Sequence, residues 1–355
     1  MRFFVATMWL LPLFFAFSTA QRGFNPFGRI PDPVQAAVNT FNSFTNSIPK
    51  VDAQSYGDFL AQTGKDLVDS AREAIFLDHK KLVENVNAGS SGFKCVLNAF
   101  SDLTKLEFLQ RLTGNKKSAS GESKASANRQ EAVPPTTKVP NAVDWRQKGG
   151  VTPVKYQGEC GSCWAFATTG AIEGHIFRKT GKLPVLSEQN LIDCGTVDFG
   201  LAGCDGGYQE YAFAFIKDEQ KGLAPGGSYP YLDKKDTCKY SPASKAAEVK
   251  GFAAIKPKDE KTMKEIVGTL GPLACSVNAL ETLLLYKEGI YDDAECNKGE
   301  VNHAVLVVGY GSEKGKDYWI VKNSWDKNWG EDGYFRLPRG SNFCGIAEEC
   351  SYPLV

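Results

Sequence analysis

Histidine is scarce. Only His79, His175 and His303 occur in 355 residues, so any chemistry that needs an imidazole must use one of them. Net charge is lacking as well, because 41 Lys and Arg balance 41 Asp and Glu. That balance removes the electrostatic reason to expect nucleic acid or an anionic membrane as partner. After the N-terminus no run approaches 18 apolar residues, so no membrane-spanning helix is expected in the mature chain. No Asn-x-Ser/Thr triplet is present, which leaves N-glycan-dependent sorting unsupported. A chain that is 42% hydrophobic and 23% charged is not a disordered one. Its length supplies core for roughly two or three domains. Cysteine, by contrast, is plentiful. Ten of them point to an oxidising compartment.

The N-terminus agrees. Met1-Arg2 is followed by an apolar stretch, Phe3 to Phe17, and then by small Ser18-Thr19-Ala20. This reads as a secretory signal cleaved after Ala20 rather than an anchor, since the run is short and polar Gln21-Arg22 follows at once. Residues 21–55 show no firm periodicity and read as poorly ordered. From Tyr56 to about Asn87 apolar residues recur at helical spacing, and Cys95-Val96-Leu97 is strand-like. Residues 113–138 are almost free of large apolar side chains and read as a cleavable linker. From Val139 to the end Gly, Trp, Tyr and Cys are dense. The expected organisation is a signal at 1–20, a removable region at 21–138 and a catalytic domain at 139–355. Within the removable region the helical part spans about 56–112.

Chemistry concentrates in the last part. Gln157-Gly158-Glu159-Cys160-Gly161-Ser162-Cys163-Trp164 precedes a helical pattern that Gly181 should end. Cys163 then lies at a helix N-terminus, where the dipole and free N–H groups favour thiolate, the nucleophilic form. Its imidazole partner follows by elimination. His79 precedes the linker, and His175 lies twelve residues along the same helix, about 18 Å away. His303 remains, leading an apolar strand. Asn323 ends another strand and can hold one imidazole nitrogen, aiming the other at sulfur.

Residues 157–166, 302–305 and 321–330 closely resemble papain-like cysteine peptidases, above all the cathepsin L branch. The likeness covers nearly all of 139–355, and VPNAVDWRQKGG from Val139 resembles a mature start. It implies an α+β fold of two subdomains, one helical and one β-barrel-like, with the cleft between them. It implies Cys163 as nucleophile, His303 as base and acid, Asn323 as orienter and Gln157 as oxyanion donor. Trp325 would shield the Asn323–His303 bond. Substrate would lie against Gly206, Gly207 and Asn302, and the pocket for the second residue before the scissile bond would be walled by Tyr208, Gln209, Ser276, Val301 and Ala304. Glu349 at its far end would let it accept arginine as well as apolar side chains. The family pattern pairs Cys160 with Cys204, Cys194 with Cys238, and Cys296 with Cys344, each bridge contributing roughly 2–4 kcal/mol. Cys275 and Cys350 are extra to that pattern; two buried thiols are expected, with a fourth bridge between them as the alternative, and Cys95 is expected as a buried apolar residue. Asn98, Phe100 and Asp102, with Arg72, Phe76, Val83 and Asn87, resemble the family's propeptide motifs, although Val68 and His79 depart from them. The resemblance implies an endopeptidase made as a zymogen, lysosomal or secreted, and monomeric. It needs no metal or cofactor. Its partners would be peptide substrates, its own propeptide and cystatin-type inhibitors.

The charge balance hides an asymmetry. Residues 1–138 hold 16 Lys/Arg against 12 Asp/Glu, and residues 139–355 hold 25 against 29. A basic propeptide on an acidic enzyme should bind less well in acid, as carboxylates protonate.

Overall fold

The computed structural model describes residues 47–65, 68–117 and 129–355. The signal segment, most of 21–55, Leu67 of the helical pattern and the middle of the linker lie outside the described residues.

Two helices form where one continuous pattern was expected. Helix α1 spans Tyr56–Thr63, opened by a Ser55–Asp58 capping box and closed by left-handed Gly64. Helix α2 spans Ser70–Ala88, with Asp69 capping its first N–H groups. Strand β1 (Phe93–Cys95) and helix α3 (Lys105–Arg111) complete this region. Phe59, Phe76, Tyr56 and Leu97 form its own small core. Arg72 locks α2 to α3 through two bonds to Glu107, at 2.5 and 2.6 Å.

The remainder is mixed α and β. In chain order come β2 (Arg129–Glu131), β3 (Val143–Asp144), α4 (Cys163–Thr180), α5 (Glu188–Cys194), α6 (Gln209–Phe215) and β4 (Gly251–Ala254). Then follow α7 (Glu260–Thr269), β5 (Leu273–Val277), α8 (Glu281–Leu284), β6 (Tyr286–Gly289), β7 (His303–Glu313), β8 (Lys316–Lys322), β9 (Tyr334–Pro338) and β10 (Ser351–Leu354). The large sheet has the order β2-β4-β10-β5-β7-β8-β9, with β3 also on β7. Two apolar cores result. One lies around α4, α5 and α6; the other fills the sheet subdomain with Trp145, Trp319, Trp325 and Trp329. Gly181 ends α4 at φ 73°, as its place in the sequence predicts.

Three expectations are corrected. Cys275 and Cys350 form a disulfide, not two thiols. Antiparallel pairing of Ser351 with Ala274 brings Cys350, just before β10, beside Cys275 on β5, with Cα atoms 4.1 Å apart. The other bridges join Cys160 to Cys204, Cys194 to Cys238, and Cys296 to Cys344. Second, the end of the 21–55 segment is packed. Ile48 is buried in the sheet-subdomain core, and its carbonyl accepts from Asn328 Nδ2 at 2.7 Å. Third, parts of the 113–138 linker are ordered on the enzyme surface. Composition denies such a segment a core of its own, but the catalytic domain satisfies its backbone groups.

Candidate active site

Cys163 opens α4 and is fully buried. His303 opens β7, and the N–H of the next residue, Ala304, donates to Cys163 Sγ at 3.3 Å. The two subdomains therefore meet at these two residues. His303 Nε2 bonds Asn323 Oδ1 at 2.8 Å, and its Nδ1 is buried without a hydrogen-bond partner. Trp325 stacks on the imidazole, with ring centroids 4.7 Å apart. An imidazole tied at one nitrogen and free at the other can carry a proton to or from a neighbouring thiol. Gln157 is oriented from its other side: Ser324 Oγ donates to its Oε1 at 2.6 Å. Its Nε2 donates to the carbonyls of Cys160 (2.9 Å) and Arg111 (3.3 Å).

Arg111 belongs to the N-terminal region, which runs along the cleft. Trp325 Nε1 donates to the Leu112 carbonyl at 2.9 Å. Gly114 lies so close to Gly161 that a side chain there would meet the Gly161 carbonyl at 2.1 Å. Asn302 O accepts from the N–H groups of Gly114 and Asn115, and Gly207 O accepts from Lys116 N–H at 2.8 Å. The Asn115–Gly207 bridge is parallel. Asn115 Nδ2 then donates to Ser276 Oγ at 3.0 Å and Glu349 Oε2 at 3.2 Å. Gln209 Nε2 also reaches Ser276, and the Lys117 ammonium lies 3.8 Å from Glu349 and above the Tyr208 ring. Gly206 and Gly207 are needed for closeness: a side chain at either would meet Gly114 O or the Trp164 ring at 2.8 Å. Of the expected cleft residues, Gln209, Val301 and Ala304 have no described contact with this segment; Gln209 bonds Ser276 and Glu349 instead, and the Ala304 N–H bonds Cys163.

Covering the cleft changes its electrostatics. Burial pushes the Cys163 thiol up to about 12, against backbone N–H groups that favour thiolate. Burial pulls His303 down to about 4 despite its bond to Asn323. In the covered state both groups are held neutral. The thiolate expected at the helix N-terminus is therefore not favoured here, because solvent is excluded from both partners.

Behind the site lies a charged cluster that sequence reading missed. Lys155 Nζ bonds Glu188 at 2.6 Å and Glu173 at 3.5 Å. Thr152 and Thr169 donate to the same two glutamates, at 2.7 and 2.6 Å. Lys322, the residue before Asn323, donates to Thr152 O and Oγ1 at 2.8 and 3.1 Å. Burial lowers Lys322 to about 8. The one available signal was a lysine ending the apolar run Trp319-Ile320-Val321.

Comparison with known proteins agrees with this architecture. A model described as papain family cysteine protease matches residues 139–354. One described as cathepsin propeptide inhibitor domain matches 56–108. The chain belongs to the papain family of cysteine proteases, in its cathepsin L-like group, and is a cysteine endopeptidase of the zymogen type. It is 43% identical over 295 residues to a cathepsin L-like peptidase of Aedes aegypti, covering 80% of this chain and 86% of the relative. It is 43% identical over 294 residues to procathepsin L of Rattus norvegicus, with the same coverage. Digestive procathepsin L 3 of the Tenebrio molitor larval midgut superposes with a TM-score of 0.75 at 38% identity, over 84% of this chain and 97% of that one.

Proposed function

We propose that Cys163, His303, Asn323 and Gln157 are the working residues of this endopeptidase. Once the prosegment leaves, the thiol gives its proton to His303 and attacks the scissile carbonyl. Gln157 Nε2 and the Cys163 N–H hold the oxyanion. His303 returns the proton to the leaving amine, forming a thioester, and water then releases the acyl group with His303 as base. Asn323 and the Trp325 ring keep the imidazole oriented. The observation that carries this reading is the His303–Asn323 bond at 2.8 Å, with Nδ1 left without a partner and the next residue, Ala304, bonded to Cys163 Sγ.

In the zymogen, Gln157 is taken by Arg111 O, and the parallel run of 113–116 puts chain where a substrate would run the opposite way. Removal of the prosegment readmits water and permits the thiolate–imidazolium pair. Three prosegment cations face enzyme acids, Arg111 on Glu159, Lys117 on Glu349 and Arg129 on Glu210, and His79 joins them on Glu281 when protonated. Acid weakens these contacts as the carboxylates protonate. Glu349, Ser276 and Gln209 make a pocket end that takes a hydrogen-bond donor, as Asn115 illustrates, which supports acceptance of arginine beside apolar residues. Residues 1–20 direct the chain to the secretory pathway, for the lysosome or release, as a monomer open to cystatin-type inhibitors. The processed chain starts near Val139.

The test is to acidify the purified precursor and compare it with Cys163→Ala. The wild type should process itself and hydrolyse a Phe-Arg reporter, and the variant should do neither, with activity down roughly a thousandfold or more. A wild type that does neither overturns the reading.

A further inference from the structure

Strand β2 lies between the two family matches, so neither the inhibitor domain nor the peptidase pattern accounts for it. It runs parallel along the outer edge of β4, with Arg129 opposite Phe252, Gln130 opposite Ala253 and Glu131 opposite Ala254. The pairing continues one residue further, where Ala132 N–H donates to Ala254 O at 2.9 Å. The Ala132 side chain is buried in the sheet-subdomain core. Glu131 pairs with Lys256 at 2.9 Å, and Arg129 Nε lies 3.2 Å from Glu210 Oε2.

Glu210 is what calls for an occupant. It sits in the first turn of α6, is 6% exposed, and its Oε1 has no hydrogen-bond partner. A carboxylate this buried is costly unless a cation faces it. Arg129 is that cation in the zymogen. A cut between Val133 and Val139 would remove it together with β2. The edge of β4 would then present a row of open N–H and C=O groups ending at a buried acid.

We propose that this edge, ended by Glu210, is a peptide-docking site outside the catalytic cleft. The linker fills it in the zymogen. After processing it takes an extended segment of a protein substrate that presents an arginine three residues before a small side chain. Strand addition supplies affinity through the main chain, the Arg129 position supplies selection through charge, and the Ala132 position admits only a small group. Glu210 directly follows Gln209 on α6, so a segment held here is tethered beside the cleft, at raised effective concentration. The proposal rests on the peptidase reading above.

The test uses processed enzyme with Cys163 alkylated, and a labelled peptide of residues 129–136 followed by fluorescence anisotropy. Saturable binding is expected, weakened at least tenfold when the peptide carries Arg129→Gln or the enzyme carries Glu210→Gln. With unblocked enzyme, saturating peptide should leave Phe-Arg reporter hydrolysis unchanged. If Glu210→Gln does not fold, the peptide variant decides alone. The site is overturned by absent binding, by binding indifferent to Arg129→Gln, or by competition with the reporter. It is also overturned by a processed chain that begins at or before Arg129 and so keeps the edge covered. Failure of the peptidase reading would show separately, as no hydrolysis at all.

Discussion

Paired charges lie on both sides of the candidate active site, and the two sets do opposite work. Behind it, Glu173, Glu188 and Lys322 are buried, and Lys155, 24% exposed, closes the cluster. In front, Arg111–Glu159 and Lys117–Glu349 join prosegment to enzyme with their cations 32% and 56% exposed. A buried charge cannot lose its partner cheaply, because water does not replace it. A rim pair is hydrated and screened, so breaking it costs little. The enclosed set is a permanent tie between subdomains, and the rim set is a latch that acid can open.

The comparison can be tested from its strongest term downward. Glu173→Gln should destabilise the processed enzyme by about 3–5 kcal/mol, leaving Lys155 and Lys322 under-compensated. Thermal melting is the check, and a loss below about 1 kcal/mol would place the cluster in the same class as the rim. Glu349→Ala should lower Arg-Arg reporter cleavage relative to Phe-Arg by about tenfold, while an unchanged ratio would remove Glu349 from specificity. Glu107 tests the latch from within the prosegment. Arg72 beside it holds its carboxyl down to about 2. A lowered carboxylate contributes stability above its unfolded value near 4.5, and loses it as pH falls from there toward 2. Glu107→Gln should therefore process faster than wild type at pH 6, with the difference shrinking below pH 4.5; equal rates at pH 6 would show that the pair does not hold the latch. Arg111→Ala should change least, by under about 1 kcal/mol in prosegment affinity, and less still in high salt.

The proposed catalytic set could be named from sequence because its residue types are chemically exacting. A nucleophilic sulfur at a helix start needs an imidazole, and only three histidines were available. The helix end at Gly181 was legible for a similar local reason: a left-handed turn is met by few residues. Cys275–Cys350 was not legible, since strand register decides it. Residues 113–117 and 129–132 were read as linker because composition reports what a segment can bury by itself, not what another surface can do for it.

Sequence alone determined the class of chemistry, the helix carrying Cys163 and the two-part organisation of the zymogen, because these follow from residue types and local spacing. Tertiary structure alone decided that Asn115 fills the Glu349 pocket and that Lys322 is enclosed behind Asn323. It also decided that thiol and imidazole are both kept neutral beneath the prosegment. Those outcomes depend on burial and on partners up to 234 residues apart in the chain, and the cost of a charge or an unmade hydrogen bond is set by what surrounds it.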